Sequence, residues 1–115
     1  MKIQELYEDK VSTVGIIFGR FNPPHKGHKA AWTMASNNDH WLVGTNQYTQ
    51  GPKDPLPADI KVEAMKMIMP EVENHVVFCK NWLALVHKVY EKYPSALLRI
   101  YTDEEWPYKL ITKYN

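Results

Sequence analysis

Four short apolar runs alternate with three segments of helical periodicity, and that order leaves few architectures open. The runs are Thr13–Phe18, His40–Gly44, His75–Cys79 and Ala96–Thr102. Each is mostly continuous in apolar residues, as expected of parallel strands covered on both faces. Between them, Gly27–Ser36 carries Ala30, Ala31, Met34 and Ala35 at helical spacing. Ala58–Met69 carries Ile60, Ala64 and Ile68 on one face and opens with Pro57 and Asp59, an N-terminal signal. Trp82–Tyr93 carries Leu83, Val86, Val89, Tyr90 and Tyr93 and stops at Pro94. The order β-α-β-α-β-α-β predicts an α/β fold, a Rossmann-like open parallel sheet of about four strands with helices on both faces and right-handed crossovers. A chain of 115 residues with 44% hydrophobic content builds one compact domain. Residues 1–12 read as an N-terminal extension and 13–115 as that domain. The last segment, Asp103–Asn115, reads as a helix opening near Asp103 and Pro107, with Leu110, Ile111 and Tyr114 apolar. A crossover helix normally leads to another strand, so either this last helix caps the sheet or the chain is the N-terminal part of a longer domain, an incomplete core; the second is the favoured expectation.

Composition excludes several classes. A formal net charge of +1 provides no broad basic field, so neither nucleic acid nor a membrane is an expected partner. No apolar stretch reaches membrane-spanning length, and Met1–Asp9 is too charged for a signal peptide. The single Cys79 rules out an internal disulfide framework and fits a reducing compartment, so a soluble, cytoplasmic protein is expected. At the end of an apolar run, Cys79 reads as a buried inert thiol.

The segment Gly19-Arg-Phe-Asn-Pro-Pro-His-Lys-Gly-His28 follows directly on the first run. A strand ending in a glycine turn, then two histidines three apart at a helix start, describes a place to hold a phosphate. Turn and helix N-terminus offer free N–H donors and the positive end of the helix dipole. Arg20, His25, Lys26 and His28 add side-chain donors. Arg20 is one of only two arginines, the other being Arg99, and arginine suits planar phosphate recognition. The irregular loop Tyr48–Leu56 follows the second run and so falls on the same carboxyl edge, where open parallel sheets bind ligands. The segment has no Gly-Lys-Ser/Thr, so it is not a Walker loop, and Gly19, Pro24 and Gly27 lack the dinucleotide spacing. His25 and His28 have no convincing further zinc ligands, since His40, His75 and His87 are scattered, so no metal site of the chain's own is expected.

The same ten residues resemble the His-x-Gly-His signature of the nucleotidyltransferase superfamily, the cytidylyltransferase-like adenylyl- and cytidylyltransferases of Rossmann-like fold. Gly-Arg-Phe ahead of the prolines is most similar to nicotinamide-mononucleotide adenylyltransferases. Leu56–Met65 resembles the family's second-helix segment, in which a basic residue faces the active site; that residue is Lys61 here, where arginine is usual. Trp82 is placed similarly to a tryptophan that stacks on the nicotinamide ring in archaeal-type members, although its spacing also makes it the start of an apolar helix face. Asp103 resembles the acidic residue after the family's Gly-x-Asp turn, with the glycine replaced. No stretch of the chain matches the family's later Ser-x-Ser/Thr-x-x-Arg segment.

The resemblance implies adenylyl transfer from ATP to a phosphate acceptor such as nicotinamide mononucleotide, with release of pyrophosphate. It implies catalytic roles for His25, His28, Arg20 and Lys61, nucleotide contacts from Gly19, Arg20, Phe21, His25, Gly27 and His28, and acceptor contact from Trp82. Mg²⁺ would travel with the triphosphate, and relatives commonly assemble into homo-oligomers. The missing phosphate segment and the lysine at 61 support the alternative of a catalytically degenerate domain, a structural or interaction module in a larger assembly.

Overall fold

The computed structural model describes residues 12–47 and 55–102. The expected N-terminal extension up to residue 11, most of the 48–56 loop, Asp103 and the expected C-terminal helix lie outside the described residues. The elements are β1 (Thr13–Phe18), α1 (Gly27–Ser36), β2 (His40–Thr45), α2 (Ala58–Ile68), a 3₁₀ turn (Pro70–His75), β3 (Val76–Phe78), α3 (Trp82–Lys92) and β4 (Leu97–Ile100). The sheet has the order β3-β2-β1-β4 and is parallel throughout. This is the expected Rossmann-like α/β fold, with β1 and β2 inside and β4 at one edge.

Local chemistry explains the element ends. Pro70 follows α2 and cannot donate to a helical ladder, so the chain tightens into the 3₁₀ turn that leads to β3. Asn81 caps α3, its side chain accepting from the Ala84 N–H at 2.9 Å. The strand period of two divides the core. Val14 and Ile16 of β1 pack with Trp82, Leu85, Val86 and Val89 of α3 on one face. Ile17 turns the other way, to Trp32 and Ala35 of α1, Trp41 and Val43 of β2, and Met65 of α2. Gly15 faces the same side as Ile17, and a side chain there would run into Asn38 and the Ala35 carbonyl oxygen, the latter at 2.7 Å. Helix α1 therefore lies almost directly on the strand backbone.

Two helix faces differ from expectation. On α2 the buried stripe is Lys61, Met65 and, just past the helix, Met69, while Ile60 is 48% exposed. The expected Ile60–Ala64–Ile68 face is thus turned by one residue, because Lys61 finds polar partners inside and can occupy a core position. On α1 the buried residues are Trp32 and Ala35, and Met34 stays open. Leu97 and Arg99 of β4 are exposed, as befits an edge strand covered on one face only. Among the described residues no helix is long and apolar enough to cross a membrane.

Candidate functional site

The carboxyl ends of β1 and β4 open onto a cleft of about 590 Å³. Its lining includes Gly19, Arg20, Phe21 and His28 from the turn and helix start, Ala31 and Met34 from α1, and Ile100, Tyr101 and Thr102 at the end of β4. The helices after β1 and β3 cover opposite faces of the sheet, so β1 and β4 diverge at a topological switch point, where such sheets bind ligands.

The turn after β1 is tied down at each residue. The Gly19 N–H donates to the Gly44 carbonyl at 3.1 Å, continuing the pairing of β1 with β2. The Arg20 carbonyl accepts from the Thr45 hydroxyl at 3.0 Å and from the Lys61 ammonium at 3.0 Å. Phe21 follows with φ 47°, a left-handed conformation that is costly for a side chain other than glycine. Its ring is buried and meets His28 edge-on, with centroids 4.8 Å apart. A side chain at Gly19 would strike that ring at 2.8 Å, so glycine is required there. The Asn22 amide both donates to and accepts from the Leu56 backbone, at 2.9 and 2.7 Å, fastening the turn to the entry of α2.

The histidines form a pair. Their rings stack with centroids 3.8 Å apart, and Trp32 stacks behind His28 at 5.8 Å. The His25 N–H donates to Nδ1 of His28 at 3.0 Å, and the Gly27 N–H donates to Nδ1 of His25 at 3.1 Å. With Nδ1 accepting, each neutral ring carries its hydrogen on Nε2. Both imidazoles are therefore set up as Nε2–H donors. Burial lowers the pKa of His28, and the nearby His25 lowers it further, so this ring is held in the neutral form.

The expected site residues are not all brought together. Gly19, Arg20, Phe21 and His28 line the cleft; His25 and Gly27 adjoin it through the stacked pair. Lys61 departs from its expected place at the phosphates. It is fully buried, and its Nζ donates to the Arg20 carbonyl, the Thr45 hydroxyl and both oxygens of Asn46, at 2.7–3.1 Å. Its ammonium serves the two loops that leave β1 and β2. Trp82, for which helical spacing favours the core and the resemblance implies acceptor contact, lies in the core: it is 4% exposed, packs in the α3 face, and meets Phe18 at 6.0 Å. Its position at the first turn of an amphipathic helix turns it inward.

Sequence reasoning missed Tyr101 and Thr102, whose signal was their place just past the strand that pairs with β1. Thr45 and Asn22 were missed as well, having no signal beyond their positions in the two turns. Cys79 lines a smaller cleft of about 250 Å³ beyond β2 and β3, with Asn46, Gln47, Phe78 and Lys80. Burial pushes its thiol pKa up, against a smaller opposing pull from Lys88, which is the reverse of an activated nucleophile. Among the described residues, no group of three His, Cys, Asp or Glu could hold a metal ion.

No family model matches the chain, and no curated protein matches it in sequence. Among solved structures, it is similar to the "Putative Nicotinate-nucleotide Adenylyltransferase from Vibrio parahaemolyticus", with a TM-score of 0.60 and 20% identity. The match covers 89% of this chain and 64% of that one, so the chain spans less than two thirds of its neighbour's length. What the two share at this identity is the fold, an open parallel α/β sheet of the Rossmann-like kind.

Proposed function

We propose that the chain is a nucleotidyltransferase that transfers an adenylyl group from ATP to a phosphate acceptor, a pyridine mononucleotide such as nicotinamide mononucleotide or nicotinate mononucleotide. The observation that carries this reading is the stacked histidine pair, with both Nδ1 atoms accepting backbone N–H groups and both Nε2–H groups left as donors beside the Gly19–Phe21 turn. A pair of Nε2–H donors next to backbone N–H groups suits an oxyanion whose charge grows during reaction.

In this reaction an oxygen of the acceptor's phosphate attacks the α-phosphorus in line. The bond from that phosphorus to the bridging oxygen breaks, and pyrophosphate leaves. No side chain forms a covalent bond. His28 and His25 donate through Nε2–H to α-phosphate oxygens, and Arg20 adds charge at the cleft rim. The turn and the histidines act by positioning and by stabilising charge. Mg²⁺ enters with the triphosphate as part of the substrate, because no carboxylate lines the described cleft and phosphate oxygens suit that ion.

A second reading, nucleotide binding without turnover in a larger assembly, is favoured by one observation: Lys61 lies inside the protein and not among the cleft-lining groups. The two readings separate in one assay, pyrophosphate release from Mg²⁺–ATP with each pyridine mononucleotide. Release that depends on the acceptor supports transfer. AMP binding at the cleft without release under any acceptor favours the binding module.

A further inference from the structure

Among the described residues, Lys61 is the one charged side chain that is fully buried. It sits at the first turn of α2 with no exposure, and it reaches the ends of two strands at once. On the β1 side its partner is the Arg20 carbonyl at 3.0 Å, which the Thr45 hydroxyl also engages at 3.0 Å. On the β2 side it holds Thr45 and Asn46. Thr45 is itself fully buried.

A trans peptide is planar, and its C=O and N–H point in opposite directions. Fixing the Arg20 oxygen therefore fixes the hydrogen that Phe21 carries on the same peptide. Two donors draw that oxygen inward, toward α2 and the end of β2. The N–H is then turned away from those donors, and Gly19, Arg20 and Phe21 are the turn residues that border the cleft. Among the described residues this N–H has no hydrogen-bond partner. The left-handed φ of 47° at Phe21 is the local conformation that goes with this peptide orientation, and a conformation so disfavoured persists only when its surroundings enforce it.

We propose that Lys61 is a positioning residue, which holds the Arg20–Phe21 peptide so that the Phe21 N–H donates to a phosphate oxygen in the cleft, and that it does not touch the phosphate itself. This rests on the reading above only in taking the cleft as a phosphate site. A buried amine thereby works through a carbonyl, converting its charge into the direction of a backbone donor. Thr45 shares the task from the neighbouring strand.

The test uses the full chain, AMP as the probe, and backbone amide NMR as the readout. In the wild type, AMP moves the Phe21 amide resonance along with those around His28. Lys61→Met keeps the apolar stem and removes the charge, a change that buried sites often tolerate. The folded variant is expected to bind AMP about tenfold more weakly, with the Phe21 amide response lost and that of His28 kept. Thr45→Val removes the second donor, and a reduced Phe21 response with Lys61 intact is expected. Should Lys61→Met fail to fold, Thr45→Val decides by the same resonance. An unchanged Phe21 response in a folded variant overturns the proposal, and so does a wild type in which AMP never moves that amide. Failure of the transfer reading is separate: a Phe21 response without pyrophosphate release sinks the reaction and leaves this assignment standing.

Discussion

The backbone N–H of His25 donates to Nδ1 of His28, so the tautomer of the second histidine is set by the main chain of the first and not by its side chain. The stacked His25 ring adds a second donor, oriented in turn by the Gly27 N–H. The two rings are therefore unequal: one lines the cleft and is held neutral, the other adjoins the cleft through the stack.

Replacing His28 with alanine is expected to lower the rate of pyrophosphate release by 10²- to 10³-fold, the usual loss for one oxyanion donor. His25→Ala should cost less, since the backbone donor to His28 remains. Steady-state release from Mg²⁺–ATP with a pyridine mononucleotide measures both. Equal losses would contradict the hierarchy.

The lowered pKa of His28 also links stability to pH. As pH falls below about 6.5, the unfolded chain takes up a proton at this position that the folded chain refuses. Stability is thus expected to fall between that value and the lower pKa of the folded ring, and to lose nothing further from this group below it. Protonation at Nδ1 would in addition break the bond from His25. Thermal melting of the wild type and His28→Gln from pH 7.5 to 5 should show a shallower decline in the variant.

Asn81→Ala removes the side-chain acceptor at the start of α3 and leaves the Ala84 N–H unpaired. The expected loss is about 1 kcal/mol. Urea denaturation should show a lower midpoint with an unchanged slope.

Trp82 separates core from ligand contact. Trp82→Ala should destabilise the fold by roughly 3–5 kcal/mol, the range for large aromatic truncations. Trp82→Phe, which keeps an aromatic ring, should leave KM for the acceptor within about twofold, since burial and not substrate holds the side chain. A large KM increase with little loss of stability would restore Trp82 to the acceptor site.

Much of this was legible in the sequence because period and punctuation are local signals. Thr13–Phe18 and Gly27–Ser36 have the bounds read from the chain, and the other elements differ by one or two residues at an end. The four strands, their parallel pairing and the cleft beside Gly19–His28 follow from continuous apolar runs between helices. Lys61 was misread for a physical reason. Hydrophobic periodicity assigns a lysine to the solvent face, and only the carbonyls of a distant turn make its burial tolerable. Trp32 went unnoticed on α1 for a related reason, since its place behind His28 depends on the ring of Phe21 folding back from the turn.

Gly15 gives the site its scale. The last turn of α1 rests on this residue, and His28 sits in the first turn of the same ten-residue helix. A helix this short is stiff, so it behaves as a lever whose fulcrum is a bare stretch of strand. Raising that fulcrum by one methyl would tip the far end and change the height of the imidazole above the Gly19–Phe21 turn. The gap that the proposed phosphate would enter is therefore calibrated from the opposite end of the helix, by atoms that Gly15 does not have.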